Sequence, residues 1–188
     1  MSFAQPNDMP NSIIDQESSR RAQQNFLDIL HRFDRAMLVT HAPAGFHARP
    51  MAIADTDEDG SLWFITGADT AKVDELQRDT QVVALMQSSS KWLSVLGRAE
   101  VRRDRARIHQ LWREAFRVWF SGKDDPNIVL LRLNPTEAEY WDSSGLKGFK
   151  FALQFAAAYV TGKEREGIGE DVDQHAKVPL SASSMRDR

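Results

Sequence analysis

The 188-residue sequence has no cysteine, which excludes disulfide cross-links, a thiolate nucleophile and cysteine-held iron–sulfur clusters. It also lacks a dominant charge sign, since 24 basic and 27 acidic residues leave a formal net charge of −3. That balance supplies no global attraction to nucleic acid or to an anionic membrane surface. No uninterrupted apolar run approaches the ~18 residues of a membrane-spanning helix. The first residues carry Gln, Pro, Asn and Ser where a secretory leader needs an apolar stretch. His31, His41, His47, His109 and His175 show no metal-ligand spacing. What the chain does have is a 41% hydrophobic fraction with five Trp and ten Phe, enough for one well-packed domain. The expectation is a soluble, cytoplasmic protein with no nucleic-acid or membrane partner. Residues 1–14 read as a flexible arm, 15–163 as the domain and 164–188 as a flexible tail.

From Asp15 to about Phe33 neither Gly nor Pro occurs, and Phe26, Leu27, Leu30 and Phe33 recur at helical spacing. Short apolar runs follow. Met37–Thr40 precedes a breaker-rich loop, His41–Gly45. Arg49–Ala54 and Ser61–Thr66, around the polar turn Asp55–Gly60, read as an antiparallel hairpin. A short helix from Thr70 to Arg78 turns Val73 and Leu76 inward. Val82–Met86 is a strand, and Trp92–Val101 is a longer one with a bulge expected at Gly97. Asp104–Phe120 reads as one amphipathic helix with Ile108, Leu111, Trp112, Ala115 and Trp119 on its stripe. Ile128–Asp142 is a last strand bent at Asn134-Pro135, and Leu146–Val160 a terminal helix. Six strands joined mostly by short turns predict an α+β fold built on a β-barrel, not a doubly wound parallel sheet.

Lys72 is the strongest chemical anomaly. It falls in the first turn of a short helix, where the helix dipole disfavours a cation by about 0.3–1 kcal/mol and uncapped N–H groups point outward. A phosphate docked there reverses the sign of the arrangement, and Arg49 reaches the same region from the paired strand with a fork suited to phosphate oxygens. The competing reading pairs Lys72 with Asp69, Asp74 or Glu75 on a solvated face. Ser88-Ser89-Ser90-Lys91 matches the Ser-x-x-Lys of penicillin-binding serine enzymes, but a strand follows it and the Ser-Asp-Asn and Lys-Thr-Gly partners are missing. It reads as a polar loop beside Trp92. The Arg98–Arg107 stretch is interleaved with Glu100 and Asp104 and reads as a solvated strand–helix junction.

In order and spacing, Ala48-Arg49-Pro50-Met51, Asp59–Thr66, Lys72 with Glu75-Leu76, Val82–Leu85, Trp92–Ala99, Trp119–Pro126 and Glu139–Asp142 carry a resemblance. They resemble the pyridoxamine-phosphate-oxidase-like FMN-binding split barrels, in the branch of bacterial general stress proteins. The resemblance implies a six-stranded antiparallel Greek-key split barrel, a homodimer, and FMN or FAD in a groove between subunits. By position, Arg49 and Lys72 would contact the flavin phosphate, and Ile65 and Thr66 would border the ring and ribityl chain. Gln87, Ser88, Ser89, Lys91 and Trp92 fall in the loop that approaches the cofactor, and Trp119 and Trp141 at the interface and pocket rim. The adjacent Arg-Lys pair often used for the phosphate is here Ala71-Lys72, and the Arg-rich ending of true pyridoxamine phosphate oxidases is not found. The expectation is therefore a flavin-binding stress protein, a flavin-dependent oxidoreductase if it is an enzyme. The alternative is a non-enzymatic carrier or sensor of flavin or tetrapyrrole.

Overall fold

A computed structural model of the chain describes residues 11–142 and 174–180. The first helix, α1, runs Asn11–Leu30 and so begins four residues before the expected start at Asp15. Its apolar stripe seats Phe26 and Leu30 with no exposed surface, each contributing about 1.5–3 kcal/mol by burial. The strands are β1 (Arg35–Ala42), β2 (Gly45–Ala52), β3 (Asp55–Thr56), β4 (Leu62–Gly67), β5 (Gln81–Gln87), β6 (Lys91–Arg102), β7 (Ile128–Asp142) and β8 (Gln174–Pro179). Between them lie α2 (Ala71–Arg78), α3 (Arg105–Leu111) and a 3₁₀ turn, Glu114–Val118. Every strand pair is antiparallel. The sheet order is β2-β1-β5-β6-β7-β4-β3, with β8 added to β7. Among the described residues no helix is long and apolar enough to cross a membrane.

The long strand β7 organises the sheet. Along one edge it pairs with β6; along the other it pairs first with β4, through Ile128–Leu133, and then with β8, through Glu137–Asp142. Asn134-Pro135 falls where that second edge changes partner, and the register slips beside it: Leu96 is opposite Glu137 and Gly97 opposite Pro135, so Thr136 is the extra residue of a bulge in β7. A bulge is one of the few places in a sheet that accommodates a residue without an N–H. The irregularity expected at Gly97 is thus present, but the extra residue belongs to β7 across the ladder and not to the strand that carries Gly97.

Two apolar layers result. One joins Phe26 and Leu30 to Leu38, Phe64, Val95 and Leu131. The other, on the opposite face of β4 and β7, joins Trp63, Ile65, Ile128 and Leu130 to Ile108, Leu111 and Phe116. Strand β4 is buried on both faces as a consequence. The guanidinium carbons of Arg107 and Arg132 also lie over Trp63, 5.1 and 5.4 Å from its ring centroid. Its indole N–H donates to Asp57 at 2.8 Å, and Arg107 pairs with Asp55 and Asp57. Arg107 therefore turns back onto the β3–β4 turn instead of standing on a solvated junction.

Several expectations are corrected. Among the described residues the sheet has eight strands where six were expected. The strand containing Arg49 pairs with β1, not with the Leu62–Gly67 strand, through the tight turn Pro43-Ala44. Gly45, at φ +127°, supplies the backbone conformation that lets β1 reverse so sharply. The Asp104–Phe120 helix ends at Leu111, because Trp112 is extended and redirects the chain so that Phe116 enters the second layer. Ala115 and Trp119 are left exposed, off the buried stripe. Within the expected flexible tail, Gln174–Pro179 pairs with β7, where backbone hydrogen bonding and the burial of Val178 hold it. The Leu146–Val160 helix and residues 1–10 lie outside the described residues.

Candidate functional site

Cross-strand partners share a face of a sheet, so register decides which candidates meet. Arg49 is opposite Leu38, which is opposite Ala84, and both apolar residues are buried inside the barrel. Arg49 therefore belongs to the inner face. Thr66 is the penultimate residue of β4, and after Gly67 the short loop Ala68–Thr70 brings the chain straight into α2. Thr70 occupies the N-cap position without capping; its hydroxyl donates to the Gly67 carbonyl at 2.8 Å instead. The first-turn N–H groups of α2 consequently gain no acceptor from that side chain.

Lys72 lies at this uncapped end, and its Nζ donates to Thr66 Oγ1 at 2.9 Å. Burial holds its ammonium below the ordinary 10.5, and the nearby Arg49 charge adds to the effect against the weaker opposing pull of Glu75 and Asp69. Lys72 forms no ion pair among the described residues, so the solvated-face reading does not describe it. Two of the three carboxylates offered for that pairing go elsewhere: Asp69 accepts from Asn127, and Glu75 is 5% exposed beneath the helix.

Glu75 anchors the second cation. Its Oε2 accepts from Arg49 Nη2 at 2.8 Å and from Thr40 Oγ1 at 2.5 Å, while His47 Nδ1 donates to Oε1 at 2.7 Å. The Thr40 hydroxyl in turn accepts from Arg49 Nη1 at 2.6 Å. Burial alone would raise the Glu75 pKa, but the hydrogen bonds from Thr40, His47 and Arg49 outweigh it and hold the carboxyl below the ordinary 4.5. The unfolded chain thus binds this proton more readily, and the stability Glu75 contributes is complete above about pH 4.5. It is lost as pH falls from there through the lower folded-state value. Glu75→Gln is expected to flatten that acid limb, read as urea midpoints between pH 3 and 7.

Thr40, His47 and Glu75 were not among the sequence candidates for this site. Of the three, Glu75 carried a signal: it follows Lys72 by three residues, the spacing of side-chain neighbours on a helix.

The other candidates lie elsewhere. Gln87, Trp92 and Trp141 are registered together across β5, β6 and β7, on the face opposite Arg49. With Met37, Pro50 and Leu85 they line an open groove of about 680 Å³. Met37, Leu85, Trp92 and Leu96 remain substantially exposed on this face. Ser88 and Ser89 lie in the β5–β6 connection and Lys91 opens β6; Ser88 Oγ accepts from the Lys91 N–H at 3.1 Å, and Lys91 pairs with Asp142 across the strands. Ile65 points away from Thr66, into the second apolar layer. Trp119 follows the 3₁₀ turn and is 70% exposed, beside the still more exposed Val118. The fold thus joins Arg49, Thr66 and Lys72 on one face and Gln87, Trp92 and Trp141 on the other.

An antiparallel sheet curled around one core, with its longest strand dividing its second edge between two partners, is a split barrel. A family model described as "Pyridoxamine 5'-phosphate oxidase like" matches residues 21–166. The chain belongs to that family. It is 26% identical over 121 residues to general stress protein 26 of Bacillus subtilis, covering 61% of this chain and 84% of that one. A solved structure of a putative general stress family protein from Xanthomonas campestris is 30% identical, with a TM-score of 0.57 over 67% of this chain and 90% of its own. The general stress FMN/FAD binding protein of Xanthomonas citri is 32% identical, with a TM-score of 0.52 over 60% of this chain and 82% of its own.

Proposed function

We propose that this protein binds a flavin nucleotide, FMN with FAD as a second ligand, as a general stress protein of the split-barrel family. The carrying observation is Lys72: a half-buried cation at an uncapped helix start, beside Arg49, with no carboxylate paired to it among the described residues. Two like charges held this close are destabilising alone and favourable around a dianion. The residues present therefore fit a phosphate group. Arg49, Lys72 and the first turn of α2 hold it, and Thr66 orients the Lys72 ammonium toward it.

The opposite face calls for a second copy of the chain. Its apolar groove is lined by three of the other candidates, Gln87, Trp92 and Trp141. A homodimer that buries this face supplies those side chains to the ring, with the phosphate held by the inner-face cations. Bound flavin supplies hydride or electron transfer, and the protein contributes orientation and exclusion of water. No side chain of the groove is assigned as a substrate acid or base. Anaerobic mixing with NADH or NADPH separates an oxidoreductase, whose flavin bleaches rapidly, from a carrier, whose flavin does not.

The direct test is an absorbance spectrum of freshly purified protein between 350 and 500 nm (roughly the flavin bands), followed by FMN titration. Saturable quenching of flavin fluorescence is expected. Protein that is colourless and fails to quench added FMN overturns the reading.

A further inference from the structure

Resting on the phosphate site just proposed, we infer that Glu75 is its positioning residue. It orients Arg49 for the ligand by holding one edge of the guanidinium. A carboxylate beside a site for a dianion is otherwise unexpected, because its charge opposes binding. Its surroundings explain it. Glu75 is almost fully buried, and both of its oxygens are engaged: one by His47, the other by Thr40 and Arg49. Burying a carboxylate is costly unless hydrogen bonds replace its water, and here three do. Arg49 is tied at Nη1 to Thr40 and at Nη2 to Glu75, and its other donors have no partner among the described residues. A long side chain with many rotamers is thereby fixed before any ligand arrives, which removes an ordering cost from binding. Lys72 is held differently, by the Thr66 hydroxyl. Each cation has its own threonine, and only Arg49 has a carboxylate bonded to it.

Position and charge make opposite demands, so two conservative variants separate them. Glu75→Gln keeps the length and an acceptor oxygen but removes the charge. Glu75→Asp keeps the charge but withdraws the carboxylate by one methylene. Dissociation constants for FMN and for riboflavin, which differ only in the phosphate, are measured by fluorescence quenching. The riboflavin-to-FMN ratio reports the phosphate site alone. Positioning predicts that Glu75→Gln keeps that ratio within about threefold, while Glu75→Asp lowers it by about tenfold, the equivalent of one charge-assisted hydrogen bond. Riboflavin affinity stays constant throughout. The pair Arg49→Ala with Glu75→Asp is expected to lower the ratio no further than Arg49→Ala alone.

The inference is overturned if Glu75→Asp keeps the ratio, if Glu75→Gln lowers it as much as Glu75→Asp, or if the Arg49 and Glu75 effects add in full. A purely structural role would weaken both ligands together, which also overturns it. Equal affinity of the unaltered protein for FMN and riboflavin overturns the phosphate site itself, and the role of Glu75 with it.

Discussion

Replacing Lys72 by alanine is expected to weaken FMN binding on the order of ten- to hundredfold and to leave riboflavin binding nearly unchanged. A charge-assisted hydrogen bond contributes about 1.5–3 kcal/mol, and each 1.4 kcal/mol is a factor of ten in Kd. Lys72 is the cation without a carboxylate bonded to it, so its whole charge is available to the phosphate. Removing it also removes repulsion toward Arg49 in the empty site, so Lys72→Ala is expected to fold at least as stably as the parent. Arg49→Ala weakens FMN by a similar factor but costs stability as well, because it leaves the buried Glu75 without one of its three donors. Titration calorimetry with both flavins, alongside thermal melts, checks the pair of outcomes. A Lys72→Ala protein that binds FMN as tightly as the parent would contradict the assignment of the site.

Gly97→Val should be the most damaging single change in the sheet. A Cβ built on Gly97 lies 2.3 Å from the Asn134 carbonyl oxygen and 2.8 Å from Leu133 Cδ2. The nearest obstacle is backbone in a paired strand, so it cannot swing aside as a long side chain can. Overpacking a core usually costs about 1–3 kcal/mol, and a clash with backbone belongs at or above the upper end. Two further methyl groups on the valine extend the conflict into the β6–β7 ladder at the point where β7 changes partner on its other edge. Expected are a fall in urea midpoint equivalent to about 3 kcal/mol and poor soluble yield. Chemical denaturation followed by tryptophan fluorescence reads this directly. Gly97→Ala, carrying the Cβ alone, should fall between Val and the parent.

Much of this architecture was legible from local pattern. Alternation and breakers located β1, β4, β5, β6 and β7, and helical spacing located α1 and α2. The glycine at position 97 marks an interruption of a long strand, and the β6–β7 register does slip beside it, with the extra residue, Thr136, on β7. Other elements were not legible for an equally physical reason. The stripe through Ile108, Leu111, Trp112 and Ala115 is a sound helical pattern, yet the chain leaves the helix at Trp112 because the second layer offers Phe116 a place. The charged segment from Gln174 carries no strong strand signal, and β8 forms because the second half of β7 has a free edge. Strand β2 is legible in the sequence, but its neighbour is not. Either pairing suits its alternation, and closure of the barrel decides between them.

The candidate site divides in the same way. Lys72 and Arg49 could be named from residue type and position, since a cation in a first helical turn is anomalous wherever that helix lies. Nothing local indicated that Glu75 enters the interior to hold Arg49, because its partners come from β1 and β2, 26 to 35 residues earlier in the chain. By itself the sequence determined which segments are apolar, where they turn, and which charges are out of place, since each follows from neighbours within a few residues. The tertiary structure alone decided which strands pair, which faces are covered and which buried charges are compensated. Those outcomes depend on surfaces brought together from distant parts of the chain, and burial sets the energy of a charge only once they have met.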